Sequence, residues 1–374
     1  MDNLSLQVTP DHRLVLENAP FPTLLAHCVV IHPRCTGVCG TDLHWYKNGA
    51  IGEMVVHDNM IIGHEAAGDI VAVGLAVQGF KVGDRVAIEP QMPCMKCHYC
   101  RDGKLNLCLE VAFMGCVDQQ GPTPGLLQRF VSHDARFVHK IPDSMTYSQA
   151  ALVEPVSVGY RGVQRSTIEL GKGVVVLGAG PIGLSTLILA RAKGATPLVV
   201  TDIDDRKLEF AKQLVPEVQI YKVDPKLDEV ANATRCRNLF FGNTEYQAPP
   251  AVLECTGIAS SIITGAYLVR RGGCLTVIGV GKSTVDKFPF MHLSFAEIDV
   301  KFVNRYYDTW PAVINLIANK IINVDPMVTH TFPLEQAKKA LDTCADPNTL
   351  TVKVQIEDNT KVVLPDCYKN VHHL

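Results

Sequence analysis

Cysteine supplies the first chemistry legible in this chain. Cys94-x-x-Cys97-x-x-Cys100-x7-Cys108 puts four thiolates in one short loop. Four thiolates close a tetrahedral zinc shell and leave no open coordination position, so the spacing predicts a structural zinc rather than a reaction centre. An iron–sulfur cluster uses the same opening C-x-x-C-x-x-C, but the usual C-x-x-x-C-P ending is absent here. A zinc-ribbon module for nucleic acid shares the shell but needs a basic surface, and 94–108 holds only Lys96, Arg101 and Lys104.

A second donor set lies upstream. Cys39 in TGVCGTD and His64-Glu65 in GHEAAG offer a thiolate, an imidazole and a carboxylate. Singly, such residues are usually core or satisfied polar groups. Brought together, they make a three-ligand zinc site with a fourth position open to a substrate oxygen, where the ion acts as a Lewis acid. Glu154, in VEPVS, is a further carboxylate able to approach the same ion. Spacing does not bring these residues together; the fold must.

GAGPIG, Gly178 to Gly183, follows an apolar strand and opens a helix, the context that makes the glycine pattern a dinucleotide fingerprint. Gly178 permits the tight turn, Gly180 lets backbone approach a pyrophosphate, and Gly183 allows close helix–sheet packing. The helix N-terminus then presents free N–H groups to the phosphates. Asp202 ends the next strand, where it accepts hydrogen bonds from ribose hydroxyls and repels a 2′-phosphate, favouring NAD over NADP. Arg206 and Lys207 are nearby cations that would tolerate a phosphate. The plain alternative is a glycine turn beside a solvated aspartate.

The elements that must carry these residues change character along the chain. Up to about residue 155, short strand-like runs such as 26–32, 66–74 and 84–90 are broken by Gly and Pro, the texture of a β-rich domain. From Val174, strand and helix alternate. Strands are expected at 174–177, 197–201, 251–255 and 274–278, with helices at 181–194, 204–214 and 259–271. The class is therefore α/β, with a doubly wound parallel sheet. Residues 225–250 read as a helix followed by a loop. A strand at 299–303, a helix from Trp310 and a β-like end, LTVKVQIED, follow. The expected domains are 1–157, β-rich; 158–297, nucleotide-binding; and 298–374, a return segment completing the coenzyme sheet and the first domain.

Composition excludes other classes. Hydrophobic residues make up 47% and charged residues 20% of the 374, as in an ordinary globular protein. A net charge of −3 leaves no footprint for nucleic acid or anionic membrane. The start lacks a signal-peptide pattern, no long apolar run suggests a membrane span, and the terminal VHHL is no peroxisomal address. Thirteen cysteines, some clustered, point to a reducing, cytoplasmic compartment, so Asn232-Ala-Thr is read as an accidental glycosylation triplet.

Taken in order, TGVCGTDLHWYKNGAIG, GHEAAGDIVAVG, KVGDRVAIEP, the four-cysteine loop, VEPVSVG, GAGPIGL, TDID, ECTG, IGVG and NRYYDTWP resemble the zinc-containing medium-chain dehydrogenases. The resemblance covers nearly the whole chain and is to the polyol branch of sorbitol, xylitol and L-arabinitol dehydrogenases. GPTPGLLQRFV and VIGVGK are most similar to the fungal L-arabinitol 4-dehydrogenases. The resemblance implies a GroES-like catalytic domain, a Rossmann coenzyme domain and a homotetramer. It implies catalytic zinc on Cys39, His64 and Glu65, structural zinc on Cys94, Cys97, Cys100 and Cys108, and Glu154 holding water or substrate beside the ion, where the alcohol-dehydrogenase branch has a cysteine. Thr41 and His44 are the implied proton relay, and Asp42 orients His64. Implied coenzyme contacts come from Gly178, Gly180, Pro181, Ile182, Gly183, Asp202, Ile203, Lys207, Ile278, Val280 and Asn304. Trp45, Glu154, Arg305 and Tyr306 are the implied polyol contacts, against ordinary packing for Trp45 and a surface or subunit-interface ion pair for Arg305.

The expected reaction is NAD-linked oxidation of a secondary hydroxyl, L-arabinitol to L-xylulose, with xylitol or sorbitol as alternative substrates. A dehydrogenase of simple primary alcohols is opposed by Glu154 and NRYYDTWP. A zinc- and nucleotide-binding scaffold without turnover would bind NAD and oxidise no polyol; every catalytic position it would have lost is filled here.

Overall fold

In the computed structural model, which describes residues 2–118, 121–361 and 368, the run Cys28–Gly37 is a ten-residue strand buried on both faces. It pairs with Glu65–Val73 on one side and with Lys353–Glu357 on the other. The sheet runs Val138–Lys140, Arg85–Ile88, Glu65–Val73, Cys28–Gly37, Lys353–Glu357, Val328–Pro333, and Val131–Asp134 also pairs with Cys28–Gly37. Val29, Ile31, Ile70, Val86 and Ile88 fill one apolar cluster, and Ile62, Leu341, Val354 and Ile356 belong to another. These elements form a unit comprising Met1–Glu154, Trp310–Ala318 and Met327–Leu374. The terminal VHHL lies outside the described residues.

The second unit comprises Pro155–Thr309 and Asn319–Pro326. Its six strands are all parallel, in the order Gln219–Lys222, Leu198–Asp202, Val174–Leu177, Ala251–Glu254, Cys274–Val277, Asp299–Phe302. That is the doubly wound order of a dinucleotide-binding sheet, whose switch point lies beside the first strand. The central runs VVVL, AVLE and CLTV are fully buried, as helices on both faces of a parallel sheet require.

Helices Pro181–Ala192, Asp205–Leu214, Glu229–Phe240 and Ala259–Leu268 lie within the expected stretches. The strand Gln219–Lys222 carries no usable periodicity: at the sheet edge only Tyr221 of its four residues is buried. Among the described residues no helix is long and apolar enough to cross a membrane.

Candidate functional site

The open donor set is built on two neighbouring chain segments of the first unit. Cys39 is the N-cap of the helix Gly40–Asn48, and Glu65 begins the strand Glu65–Val73 directly after His64. One donor atom from each of Cys39, His64 and Glu65 lies within 4.8 Å of the others, with Cys39 half-buried and the other two buried. Asp42 joins the two segments. Its carboxylate is fully buried and accepts from the Cys39 N–H at 2.9 Å and from the Gly63 N–H at 3.0 Å. Its Oδ1 stands 3.7 Å from His64 Nδ1, which leaves the other imidazole nitrogen for the donor cluster. Asp42 therefore fixes both ligand-bearing loops through their backbone.

Burial pushes the Asp42 carboxyl up against the lowering pull of His64. Burial would also depress His64, but Cys39 and Asp42 outweigh it and raise the imidazole pKa well above its ordinary value. A thiol, an imidazole and carboxylates packed this closely form a site that asks for a cation.

A residue the sequence reading missed completes this cluster. Lys353 is 2% exposed, and its Nζ donates to Glu65 Oε1 at 2.8 Å, to Glu65 Oε2 at 2.7 Å and to the Val38 carbonyl at 3.2 Å. Burial works against this ammonium, but Glu65 first, then Cys39 and Glu154, hold its pKa above the usual lysine value. Glu154 is buried in the first turn of the helix Val153–Arg165. No local pattern marks Lys353, because its partner is 288 residues away in sequence.

On the same helix as Cys39, Thr41 is half-buried and His44 exposed. Trp45, expected as a polyol contact, has no exposed surface and packs in the apolar cluster with Leu6, Val38, Met60 and Leu341.

The four-cysteine loop also closes in space, with one Sγ from each residue within 4.8 Å of the rest. Cys94 and Cys100 sulfurs are 4.0 Å apart, near the roughly 3.8 Å edge of a tetrahedron with Zn–S of about 2.3 Å. Backbone N–H groups of Cys94 and Cys97 point at the sulfurs of Cys108 and Cys94. Backbone donors, led by Cys100, draw the Cys97 thiol down to about 6, while burial and the neighbouring thiols push Cys100 up to about 12. Four thiolates at this distance need a cation to coexist, and a soft tetrahedral one suits them.

In the second unit the glycine turn has the predicted shape. Gly178 takes φ 99°, and a Cβ at Gly183 would lie 1.8 Å from the Gly178 carbonyl oxygen. A Cβ at Gly180 would meet nothing within 4 Å, so that position faces open space at the helix N-terminus. Asp202 accepts from the Ala179 N–H at 2.9 Å and from the Asp204 N–H at 3.0 Å, one bond per oxygen. The Arg206 guanidinium is bound to the Asp204 carboxylate, with its closest contact at 2.7 Å. Pro181, Ile182 and Lys207 are half-buried, and Ile203, Val280 and Asn304 are exposed. The Ile278 side chain is buried, and its Cδ1 occupies the space beside Gly162. Arg305 is half-buried in left-handed backbone, φ 51°, whereas Tyr306 is fully buried; of that pair only Arg305 has surface to offer.

Residues 26–143 match the family described as alcohol dehydrogenase GroES-like domain, and residues 181–319 match zinc-binding dehydrogenase. The chain belongs to the zinc-binding alcohol dehydrogenase family, in its polyol branch, and is an oxidoreductase. It is 46% identical over 340 residues to L-arabinitol 4-dehydrogenase of Aspergillus oryzae, covering 90% of this chain and 87% of that one. It is 40% identical over 360 residues to sorbitol dehydrogenase of Mus musculus, covering 96% and 97%. Among solved structures, an Escherichia coli oxidoreductase of unknown specificity superposes with a TM-score of 0.86 at 31% identity, covering 96% of this chain and all of that one.

Proposed function

We propose that this protein oxidises L-arabinitol to L-xylulose, using NAD and zinc. The observation that carries the reading is the meeting of Cys39, His64 and Glu65 donors within 4.8 Å in a chain 46% identical to an L-arabinitol 4-dehydrogenase. Bound zinc supplies a Lewis acid that lowers the pKa of a substrate hydroxyl, and NAD supplies the hydride acceptor.

The chain's own residues do the rest. Cys39, His64 and Glu65 hold the ion, with Asp42 fixing the loops that carry the first two. Glu154 is the carboxylate that holds a substrate or water oxygen. Thr41 and His44 stand three residues apart on one helix, hence on one face, the first half-buried and the second exposed. That order suits a hydroxyl handing a proton to an imidazole in contact with solvent. Arg305 is the polyol-binding side chain. The helix opening at Pro181 directs N–H groups at the pyrophosphate, and Asp202 has a lone pair left on each oxygen for ribose hydroxyls. Arg206 is paired with Asp204, and the preference for NAD over NADP rests on the Asp202 carboxylate, which repels a 2′-phosphate. The four-cysteine loop holds a structural zinc.

We also assign the protein to the cytoplasm and to a homotetramer. None of the described cysteines forms a disulfide, which suits a reducing compartment. Asp299–Phe302 is an edge strand of the parallel sheet, and Phe302 together with nearby Phe290, Met291 and Phe295 is exposed, an apolar edge suited to a second copy.

The test is NAD reduction followed by absorbance across L-arabinitol, xylitol, D-sorbitol and ethanol, repeated with NADP. The highest kcat/KM is expected with L-arabinitol and NAD. A sorbitol or xylitol preference, the second reading, is favoured by the 40% identity to mouse sorbitol dehydrogenase and would keep the mechanism. Activity on ethanol alone, or on nothing, refutes both.

A further inference from the structure

Lys353 is an expensive residue where it stands, since an ammonium removed from water costs several kcal/mol unless it is fully partnered. The backbone pairing of its strand does not need it. What makes its reach possible is Gly37. In the middle strand, Gly37 pairs with Glu65 on one side and with Gln355 on the other. A Cβ there would lie 2.2 Å from Glu65 Oε2 and 3.2 Å from Glu65 Cβ. Strands two places apart in a sheet are separated by roughly 9.6 Å, a gap that a lysine stem and a glutamate cross together only over a bare backbone. The three ammonium donors have three acceptors, two of them the oxygens of one carboxylate.

We propose that Lys353 is a positioning residue for the metal, holding Glu65 by both oxygens over the notch at Gly37. Glu65 then faces the ion with only the lone pairs the ammonium leaves, and the positive charge weakens its donation. The ion is held less tightly, and is a stronger Lewis acid, than three unencumbered donors would make it. Changing a group that holds a metal ligand commonly shifts affinity by factors of about 10 to 100; the direction here follows from charge, because an ammonium on the carboxylate opposes a cation on the same carboxylate. The inference rests on the zinc reading of Cys39, His64 and Glu65.

The experiment measures metal retention and not turnover alone. Native protein, Lys353→Met and Cys39→Ser are loaded with cobalt(II), and the native-minus-Cys39→Ser difference spectrum isolates this site from the four-cysteine loop. Release of the isolated ion to a chelator is then timed. Lys353→Met is expected to release it about tenfold more slowly than native, with shifted cobalt bands and a lower kcat. Release at the native rate or faster overturns the proposal and leaves Lys353 as a core ion pair. Should the methionine variant not fold, Lys353→Gln carries the same expectation, since it keeps a donor to the carboxylate and loses the charge. A Cys39→Ser spectrum identical to native would mean that no ion sits at Cys39, and the zinc reading falls, taking this inference with it. A lost Cys39 site with native release from the Lys353 variants sinks only the inference.

Discussion

Two alanine substitutions in one glycine turn should separate folding from coenzyme binding. At Gly183 the added Cβ would lie 1.8 Å from the Gly178 carbonyl oxygen and 2.8 Å from its carbon, where ordinary contact begins at 3.4 Å. The obstacle is backbone, not a side chain that can swing away, so the turn must open by 1.6 Å, the difference between 3.4 and 1.8. Overpacking of this kind costs about 1–3 kcal/mol. At roughly 2–4 °C per kcal/mol for a unit of this size, a cost near 3 kcal/mol lowers Tm by about 6–12 °C. The same opening swings the N-terminus of Pro181–Ala192 away from the phosphates.

Gly180 is the contrasting case. Its backbone, φ −79°, suits alanine, and its Cβ would meet nothing within 4 Å. Gly180→Ala should therefore melt within about 1 °C of native. Yet the methyl occupies the approach path of the pyrophosphate. Losing one charge-assisted hydrogen bond, about 2 kcal/mol, weakens NADH binding roughly 30-fold. Calorimetric titration with NADH and thermal melts of both variants make the assay. Native NADH affinity in Gly180→Ala would refute the pyrophosphate assignment, and a native Tm in Gly183→Ala would refute the steric argument.

Other perturbations test separate parts of the reading. Cys39→Ser should abolish polyol turnover with a native Tm, whereas Cys97→Ser should chiefly lower Tm or break assembly; the reverse pattern would exchange the two metal roles. Asp202→Ser combined with Ile203→Arg should raise NADP use at least about tenfold in kcat/KM, and an unchanged preference for NAD would count against the ribose assignment. Burial lowers His133 from 6.5 to about 4, its Nε2 lying 2.8 Å from the Glu89 carbonyl oxygen. The folded state resists a proton that the unfolded chain accepts, so the stability is complete above pH 6.5 and is lost as pH falls toward 4, by about 3 kcal/mol. The stability difference between native and His133→Gln in urea melts should shrink by that amount from pH 7 to 4; a constant difference would show that His133 is not what titrates.

What the sequence determined by itself is what its chemistry keeps local. Gly178, Gly180 and Gly183 act within one turn, and Cys94 to Cys108 close within one loop, so residue type and spacing carry most of the physics. The alternation of apolar strands and amphipathic helices from Val174 onward implied the parallel sheet, because each strand buried on both faces must be apolar throughout. Tertiary structure alone decided the rest. Trp45 has no helical or strand signal that tells its neighbours, and only the fold packs it among Leu6, Met60 and Leu341. Cys39, His64 and Glu65 are isolated letters until two strands and a helix start bring them within 4.8 Å. Lys353 reads as an ordinary strand lysine until its strand is laid beside Gly37, whose missing side chain lets the ammonium reach Glu65. A contact across 288 residues leaves no periodicity or motif, since burial and charge pairing at that range depend on which strands become neighbours.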